Sequence, residues 1–159
     1  MGAQLQVVIR SVIGICACLI LAGCGEDVGV DQSGRKVTAG SLEGQWLVIN
    51  YWAEWCAPCR TEIPELNALA KQFKERSVTV LGVNFDGLQG EELRKASQAL
   101  GIEFTVLEQD PAARYELPRS EVLPVTYIID SQGQVRERLL GEQTAAGLTA
   151  RLKTLQAGE

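Results

Sequence analysis

The stretch NYWAEWCAPCR, residues 50–60, decides how the rest of the chain is interpreted. It places Cys56 and Cys59 on either side of Ala57 and Pro58, directly after a run rich in aromatic residues. Three kinds of chemistry use two cysteines at this spacing: a metal site, a structural disulfide and a reversible dithiol. The residues around the motif have to distinguish between them.

The composition indicates one folded, acidic domain. A length of 159 residues is typical of a single domain. Hydrophobic residues make up 46% of the chain and charged residues 22%, which permits a packed core and disfavours wholesale disorder. The formal net charge is −5 and no cluster of lysine and arginine appears. Binding to nucleic acid through its phosphates is therefore not expected.

The chain contains no histidine. This excludes a Ser–His–Asp triad, a Cys–His pair and any imidazole ligand for a metal. Haem attachment through a C-x-x-C-H motif is also excluded, because Arg60 follows Cys59.

The first residues are typical of a secretion signal. Arg10 precedes an apolar run over residues 12–22, which is shorter than the roughly 20 residues of a membrane span. The run ends in LAGC, residues 21–24, which resembles the lipobox of bacterial lipoproteins. That resemblance implies a signal peptide over residues 1–23 and a lipid on Cys24. An uncleaved anchor, or a plain signal whose cysteine is incidental, are the alternatives.

Cleavage at this point changes the number of thiols. Cys16 and Cys18 leave with the signal, and Cys24 becomes a thioether. Only Cys56 and Cys59 then remain as free thiols, in an oxidising compartment that permits disulfide chemistry.

Strand-like and helix-like segments alternate after this point, which favours an α/β fold with a largely parallel centre. A turn at residues 33–34 predicts a small hairpin. Strands are predicted over residues 46–52, 77–85, 104–109, 124–130 and 134–140. Helices are predicted over residues 57–73, 90–101 and 110–117. Pro111 is expected at the first helical position of the third one. A last helix is predicted in the C-terminal segment, where Leu148, Leu152 and Leu155 lie on one face. We expect a tether and hairpin over residues 24–43 and one domain over residues 44–157.

The surroundings of the motif favour the reversible dithiol. A structural zinc site takes a set of four Cys or His ligands, and two thiols without a histidine do not supply it. A disulfide across two residues closes a very small loop, so its stabilising effect through loop entropy is small. A strand that ends near Trp55, followed by a helix that begins at about Cys56, should lower the pKa of a thiol there. Cys56 would then attack a substrate disulfide, and Cys59 would resolve the mixed disulfide.

These residues carry a resemblance to a known family. NYWAEWCAPCR resembles the active site of the thioredoxin superfamily. WCAPCRTEIPEL together with LPVTYIID is most similar to its TlpA/ResA-like branch, which contains membrane-tethered thiol–disulfide oxidoreductases outside the cytoplasm. The likeness covers about residues 44–155. It implies a thioredoxin-like fold, with a central mixed β-sheet flanked by helices and a small N-terminal hairpin.

The resemblance also implies roles for individual residues. Pro124 matches the cis-proline that faces the dithiol, and Leu123 would offer its backbone to an extended substrate segment. Trp55 would shield the sulfur atoms and contact the substrate, whereas Trp52 is either part of the site or part of the core.

Glu62 matches an acid that this branch carries near the dithiol. A carboxylate there could carry the proton of Cys59. The alternative is a solvated helix residue. Asn50 occupies the place where thioredoxin itself has a buried aspartate, which weakens the direct analogy and moves the proton role to Glu62.

The sequence therefore predicts an extracytoplasmic, membrane-anchored thiol–disulfide oxidoreductase that uses no cofactor and no metal. The absence of a histidine between the cysteines favours reduction of protein disulfides, with electrons from a thiol-reducing donor in the membrane. The alternatives are a dithiol oxidase of the same fold, a copper-binding lipoprotein and a redox-silent binding lipoprotein. Apocytochrome cysteines, a copper-site assembly protein and general disulfide repair are all possible substrates.

Overall fold

The structure, a computed structural model, describes residues 27–74 and 77–158. The predicted signal over residues 1–23 and the predicted lipidation site Cys24 lie outside the described residues. Among the described residues, no helix has the length and apolar character needed to cross a membrane.

The described residues form seven strands and five helices in two sheets. A two-stranded sheet has the order β1-β2, and a five-stranded sheet has the order β5-β4-β3-β6-β7. In chain order the elements are β1 (Asp27–Val30), β2 (Lys36–Thr38), α1 (Ala39–Leu42), β3 (Trp46–Trp52), α2 (Ala57–Phe73), β4 (Val78–Asn84), α3 (Gly90–Ala99), β5 (Thr105–Leu107), α4 (Ala112–Tyr115), β6 (Val125–Ile129), β7 (Val135–Leu140) and α5 (Ala145–Gln156).

The central strand β3 explains why the sheet is covered on both faces. All seven residues of WLVINYW are buried, and alternate side chains point to opposite faces of a strand. Val48 and Trp52 join a cluster with α2, α3 and α5. Ile49 and Tyr51 join a second cluster on the other face, with side chains from the hairpin, α1 and α4. The sheet is thus the middle layer of the domain.

The sheet is mixed, as predicted, but it is parallel only on one side of β3. β3 pairs in parallel with β4, and β4 pairs in parallel with β5. β6 runs antiparallel to both β3 and β7. The helical crossovers through α2 and α3 return the chain to the same end of the sheet, as parallel strands require. The prediction of a largely parallel centre is therefore correct for β3, β4 and β5, and it is wrong for β6 and β7.

The predicted N-terminal hairpin is confirmed. β1 and β2 pair antiparallel around a turn in which the carboxylate of Asp31 accepts from the backbone N–H groups of Ser33 and Arg35. The hairpin is joined to the edge of the main sheet, since the N–H of Glu108 donates to the carbonyl of Val30 at 3.0 Å. It therefore covers an edge that would otherwise expose unpaired backbone groups.

Two short helices differ from the sequence prediction. The four-residue helix α1 was not predicted, because four residues are too few to show a helical period. Its signals are the Thr38 cap, whose side chain accepts from the N–H of Ser41, and the buried side chain of Leu42. Pro111 caps α4 and is not its first residue. One residue of disagreement at a helix end is ordinary.

Candidate active site

The two cysteines lie at the junction of β3 and α2, where the helix begins at Ala57 and not at Cys56. Cys56 is the residue before the first helical one, with φ −83° and ψ 101°, and its Sγ accepts from the backbone N–H of Cys59 at 3.2 Å. Pro58 lies in the first turn of α2, where its missing N–H has no helical acceptor to lose. Cys56 and Cys59 form a disulfide, so the structure describes the oxidised protein.

The two sulfur-bearing residues differ in their access to solvent. Cys56 is 4% exposed and Cys59 is completely buried, whereas Ala57 between them is exposed. A partner that approaches the start of α2 therefore meets Cys56 before Cys59. The arrangement suits an outer sulfur that is attacked or attacks first, and an inner sulfur that closes the ring.

Trp55 forms an exposed aromatic feature beside the dithiol. The side chain is 62% exposed, and its indole N–H donates to the carboxylate of Asp86 at 3.0 Å. Its ring meets that of Phe85 edge-on, with centroids 6.2 Å apart. The position of this large side chain is thereby fixed from the end of β4. Trp52, in contrast, is fully buried in the core.

Glu62 is buried, which excludes the alternative of a solvated helix residue. It is 1% exposed and lies one turn after Cys59 on α2. Its Oε1 accepts from the side-chain amide of Asn50 at 2.6 Å, and its Oε2 accepts from the backbone N–H of Gln143 at 3.1 Å. Strand β3 and the segment before α5 therefore each supply one donor to the carboxylate.

Burial raises the pKa of Glu62 from 4.5 to about 7, because the charged form loses its hydration inside the protein. The hydrogen bonds from Asn50 and Gln143 lower the pKa and so oppose burial, while repulsion from Glu142 raises it. The carboxyl group can thus exchange a proton near neutral pH, which is what a proton carrier beside a dithiol requires.

Leu123 and Pro124 lie immediately before β6. Their peptide bond is cis, as the resemblance implies. The carbonyl of Pro124 accepts from the N–H of Gly141 at 2.9 Å, which holds the proline against the end of β7. Leu123 is half-buried and packs against the cluster that contains both cysteines. The structure thus brings the cysteines and Leu123 into one hydrophobic cluster, while Glu62 lies buried one turn after Cys59 on α2.

A cavity of about 250 Å³ opens on the face of the sheet opposite α2. Its walls include Phe85, which touches Trp55, and Val125, which follows Pro124. The hydroxyl of Tyr51, another lining residue, donates to Asp110 at 2.6 Å. The cavity therefore lies beside the residues that flank the dithiol.

Sequence reasoning missed several residues of this site. Asp86 fixes Trp55, Gln143 donates to Glu62, and Thr126 accepts from Asn50 at 3.0 Å. Asp86 could have been found, because side chains that follow parallel strands collect at the carboxyl edge of the sheet. Gln143 acts through its backbone, and its contact leaves no signal in residue type.

Comparisons with known proteins identify a family and relatives of this chain. The AhpC/TSA family matches residues 25–138. Thiol-disulfide oxidoreductase ResA of Bacillus thuringiensis (strain Al Hakam) is 30% identical over 128 residues, which span 80% of this chain and 73% of that protein. ResA of Bacillus subtilis (strain 168) is 25% identical over 129 residues, which span 81% of this chain and 72% of that protein.

Solved structures share the fold. A thiol:disulfide interchange protein of the thioredoxin family from Chlorobium tepidum TLS superimposes with a TM-score of 0.69 at 25% identity, covering 82% of this chain and 92% of that one. A DsbF homologue from Corynebacterium diphtheriae superimposes with a TM-score of 0.68 at 23% identity, covering 82% and 85%. With its dithiol, its thioredoxin-like sheet and these matches, the chain belongs to the AhpC/TSA family, as a relative of the thiol-disulfide oxidoreductases of ResA type.

Proposed function

We propose that this protein reduces disulfides in other proteins outside the cytoplasm, while a lipid on Cys24 holds it at a membrane. The observation that carries the proposal is the Cys56–Cys59 pair at the start of α2, with a buried carboxylate one turn further on. The signal over residues 1–23, the tether and hairpin over residues 24–43 and the domain over residues 44–157 belong to the same proposal.

The reaction transfers two electrons from the dithiol to the substrate. The Cys56 thiolate attacks one sulfur of the substrate disulfide, a mixed disulfide forms and the other substrate sulfur leaves as a thiolate. Glu62 takes the proton of Cys59, whose thiolate then attacks the sulfur of Cys56. The substrate leaves with both sulfurs reduced, and the proton on Glu62 passes to a leaving thiolate or to water.

The residues between the cysteines support the reducing direction. Strong oxidants stabilise their reduced thiolate, whereas Ala57 and Pro58 carry no group that could do so. The dithiol has to be regenerated after each cycle, so a thiol-reducing electron donor in the membrane is part of the proposal. Apocytochrome cysteines, a copper-site assembly protein and damaged disulfides are the candidate substrates.

Leu123, Pro124 and Trp55 are proposed to hold the substrate. Leu123 lies outside β6, and its backbone has no hydrogen-bond partner within residues 27–74 and 77–158. An extended substrate segment could pair with it as an added short strand. The exposed ring of Trp55 would cover the segment from the other side of the sulfurs.

The first test is covalent trapping. The Cys59→Ser variant should accumulate a mixed disulfide through Cys56, because the resolving thiol is gone, whereas the Cys56→Ser variant should trap nothing. The complexes are separated without reductant and identified by mass spectrometry. A redox-silent binding protein would give no adduct in either variant.

The direction is tested by the reduction potential of the Cys56–Cys59 pair, measured in glutathione buffers. We expect a value below about −200 mV, in the range of reducing thiol proteins, and a value near about −120 mV would identify an oxidase.

The anchor is tested separately. Mass spectrometry of the mature protein should show a diacylglyceryl group on Cys24, and the Cys24→Ser variant should leave the membrane fraction. An unmodified Cys24 would remove the anchor from the proposal without affecting the dithiol reaction.

A further inference from the structure

The side-chain amide of Asn50 is fully buried between β3, β6 and α2. Its Nδ2 donates to Glu62 Oε1 at 2.6 Å and to Thr126 Oγ1 at 3.0 Å. Its Oδ1 has no hydrogen-bond partner among the residues that the structure describes. All of the donor capacity of the amide is therefore used, and its acceptor is unsatisfied.

This orientation favours the ionised state of Glu62. A carboxylate accepts hydrogen bonds and donates none, so the amide has to present its nitrogen. Leaving a buried carbonyl oxygen without a partner costs about 1–3 kcal/mol. The hydrogen bond to the charged Oε1 offsets this cost while Glu62 is ionised. Once Glu62 is protonated, Nδ2 can donate only to a neutral group, and this weaker hydrogen bond offsets less of the cost.

We propose that Asn50 is a positioning residue for the proton step, whose amide donates to the Glu62 carboxylate and rotates by 180° to accept from the protonated carboxyl. The two amide atoms are nearly the same size, so the rotation exchanges them without disturbing the packing, and it moves Nδ2 to the place where Oδ1 has no partner. After rotation, Oδ1 takes the place of Nδ2 and accepts from both the Glu62 carboxyl and the Thr126 hydroxyl. The inference rests on the proposed role of Glu62 in the dithiol reaction.

The other groups around Glu62 do not provide this function. On α2 itself, Cys59 lies one turn earlier and Glu65 one turn later, and Glu65 Oε2 accepts from the N–H of Ala145 at 2.9 Å. Before α5, Glu142 repels the charged form, and the backbone N–H of Gln143 can only donate. Strands β3 and β6 contribute Asn50 and Thr126, which carry no charge.

An amide in this place has a chemical advantage over a carboxylate. A second acid would compete with Glu62 for the proton, and the two would titrate as a coupled pair. Asn50 does not titrate, so the proton from Cys59 has one acceptor. Because the amide can hydrogen-bond to both states of that acceptor, Glu62 can gain and lose a proton without moving.

The first experiment follows the Glu62 carboxyl by infrared spectroscopy as the oxidised protein is titrated. The band that disappears in the Glu62→Gln variant belongs to Glu62. In the Asn50→Leu variant the carboxylate loses a charge-assisted hydrogen bond, which is stronger than the bond that the neutral carboxyl loses. The midpoint of the Glu62 titration should therefore rise by about one to two pH units. An unchanged midpoint would overturn the proposal. Thermal unfolding of both proteins shows that they are folded.

A second variant covers the case in which leucine is not tolerated. Asn50→Asp keeps the shape of the side chain and should replace the single titration by two separate steps. One titration step with the wild-type midpoint would contradict a direct role for Asn50.

The rotation itself is observed by NMR of the wild-type protein. The side-chain amide resonances of Asn50, identified by their absence in Asn50→Leu, should change with the same midpoint as the Glu62 band. Their NOEs to the Thr126 methyl group should weaken as Glu62 is protonated. Resonances and NOEs that stay constant through the midpoint would rule out the rotation.

These results can be distinguished from a failure of the proposed function. If Cys59→Ser traps no partner but the Asn50 resonances follow Glu62, the coupling between Asn50 and Glu62 stands and the substrate reaction fails. If trapping succeeds and the Asn50 resonances do not follow Glu62, the function stands and the inference is wrong.

Discussion

The backbone N–H of Gln143 lies 3.1 Å from Oε2 of Glu62, although the two residues are 81 positions apart. The neighbouring N–H of Ala145 donates to Glu65 on the same helix at 2.9 Å. Two carboxylates of α2 thus bind the start of α5. The carboxyl group that we propose as the proton carrier is therefore also a structural contact, and its protonation should affect stability.

Glu62 should make the stability of the oxidised protein depend on pH. Its pKa is about 7 in the folded protein and near 4.5 when unfolded, so the folded state binds the proton more tightly. The resulting stabilisation is complete below pH 4.5 and is lost as the pH rises through 7, by about 3 kcal/mol at most. Urea unfolding across this range measures it. The Glu62→Gln variant should gain stability relative to the wild type as the pH rises; parallel curves would contradict the prediction.

Cys56 should react before Cys59 in the reduced protein. Cys56 lies at the start of α2 and is partly accessible, whereas Cys59 is fully buried. Brief treatment with iodoacetamide, followed by peptide mass spectrometry, should find the label on Cys56 in large excess. The Cys56→Ser variant is the control, and its remaining thiol should be labelled far more slowly. Equal labelling would show that the assignment of the two roles is wrong.

Trp55 should matter for protein substrates and much less for small ones. Its exposed ring offers a contact surface, and removing such a ring from an interface costs about 1–2 kcal/mol. Trp55→Ala should therefore raise KM for a disulfide-bonded protein by about 5–30-fold, with little change for a small aromatic disulfide. Trp55→Phe, which keeps a ring but loses the bond to Asp86, should be intermediate. Equal losses on both substrates would indicate damage to the dithiol instead.

Gly82 should not tolerate a methyl group. A Cβ at this position of β4 would lie 2.9 Å from the ring of Phe104 and 3.1 Å from Nε1 of Trp52, inside the core. Gly82→Ala should reduce the free energy of unfolding by about 1–3 kcal/mol. Gly40→Ala is the matched control, since nothing lies within 4 Å of its added atom, and it should be neutral or slightly stabilising. Denaturant unfolding compares the two, and equal effects would contradict the packing argument.

The strands and main helices could be predicted because their signals are local. WLVINYW is a largely apolar run, and the start of α2 is marked by Pro58, two residues after Cys56. Helix α1 could not be predicted, because it depends on one cap and one buried leucine. The antiparallel direction of β6 was also beyond local patterns, since direction depends on the path of the connection before it.

The sequence by itself determined that two thiols meet at the boundary of a strand and a helix, since four consecutive residues and their neighbours specify this. Only the tertiary structure decided what surrounds Glu62. Its donors Asn50 and Gln143 come from different elements, and the contact between Asn50 and Thr126 joins residues 76 positions apart. The physical reason is that burial and hydrogen bonding, which determine when a carboxyl group takes a proton, come from packing between distant segments.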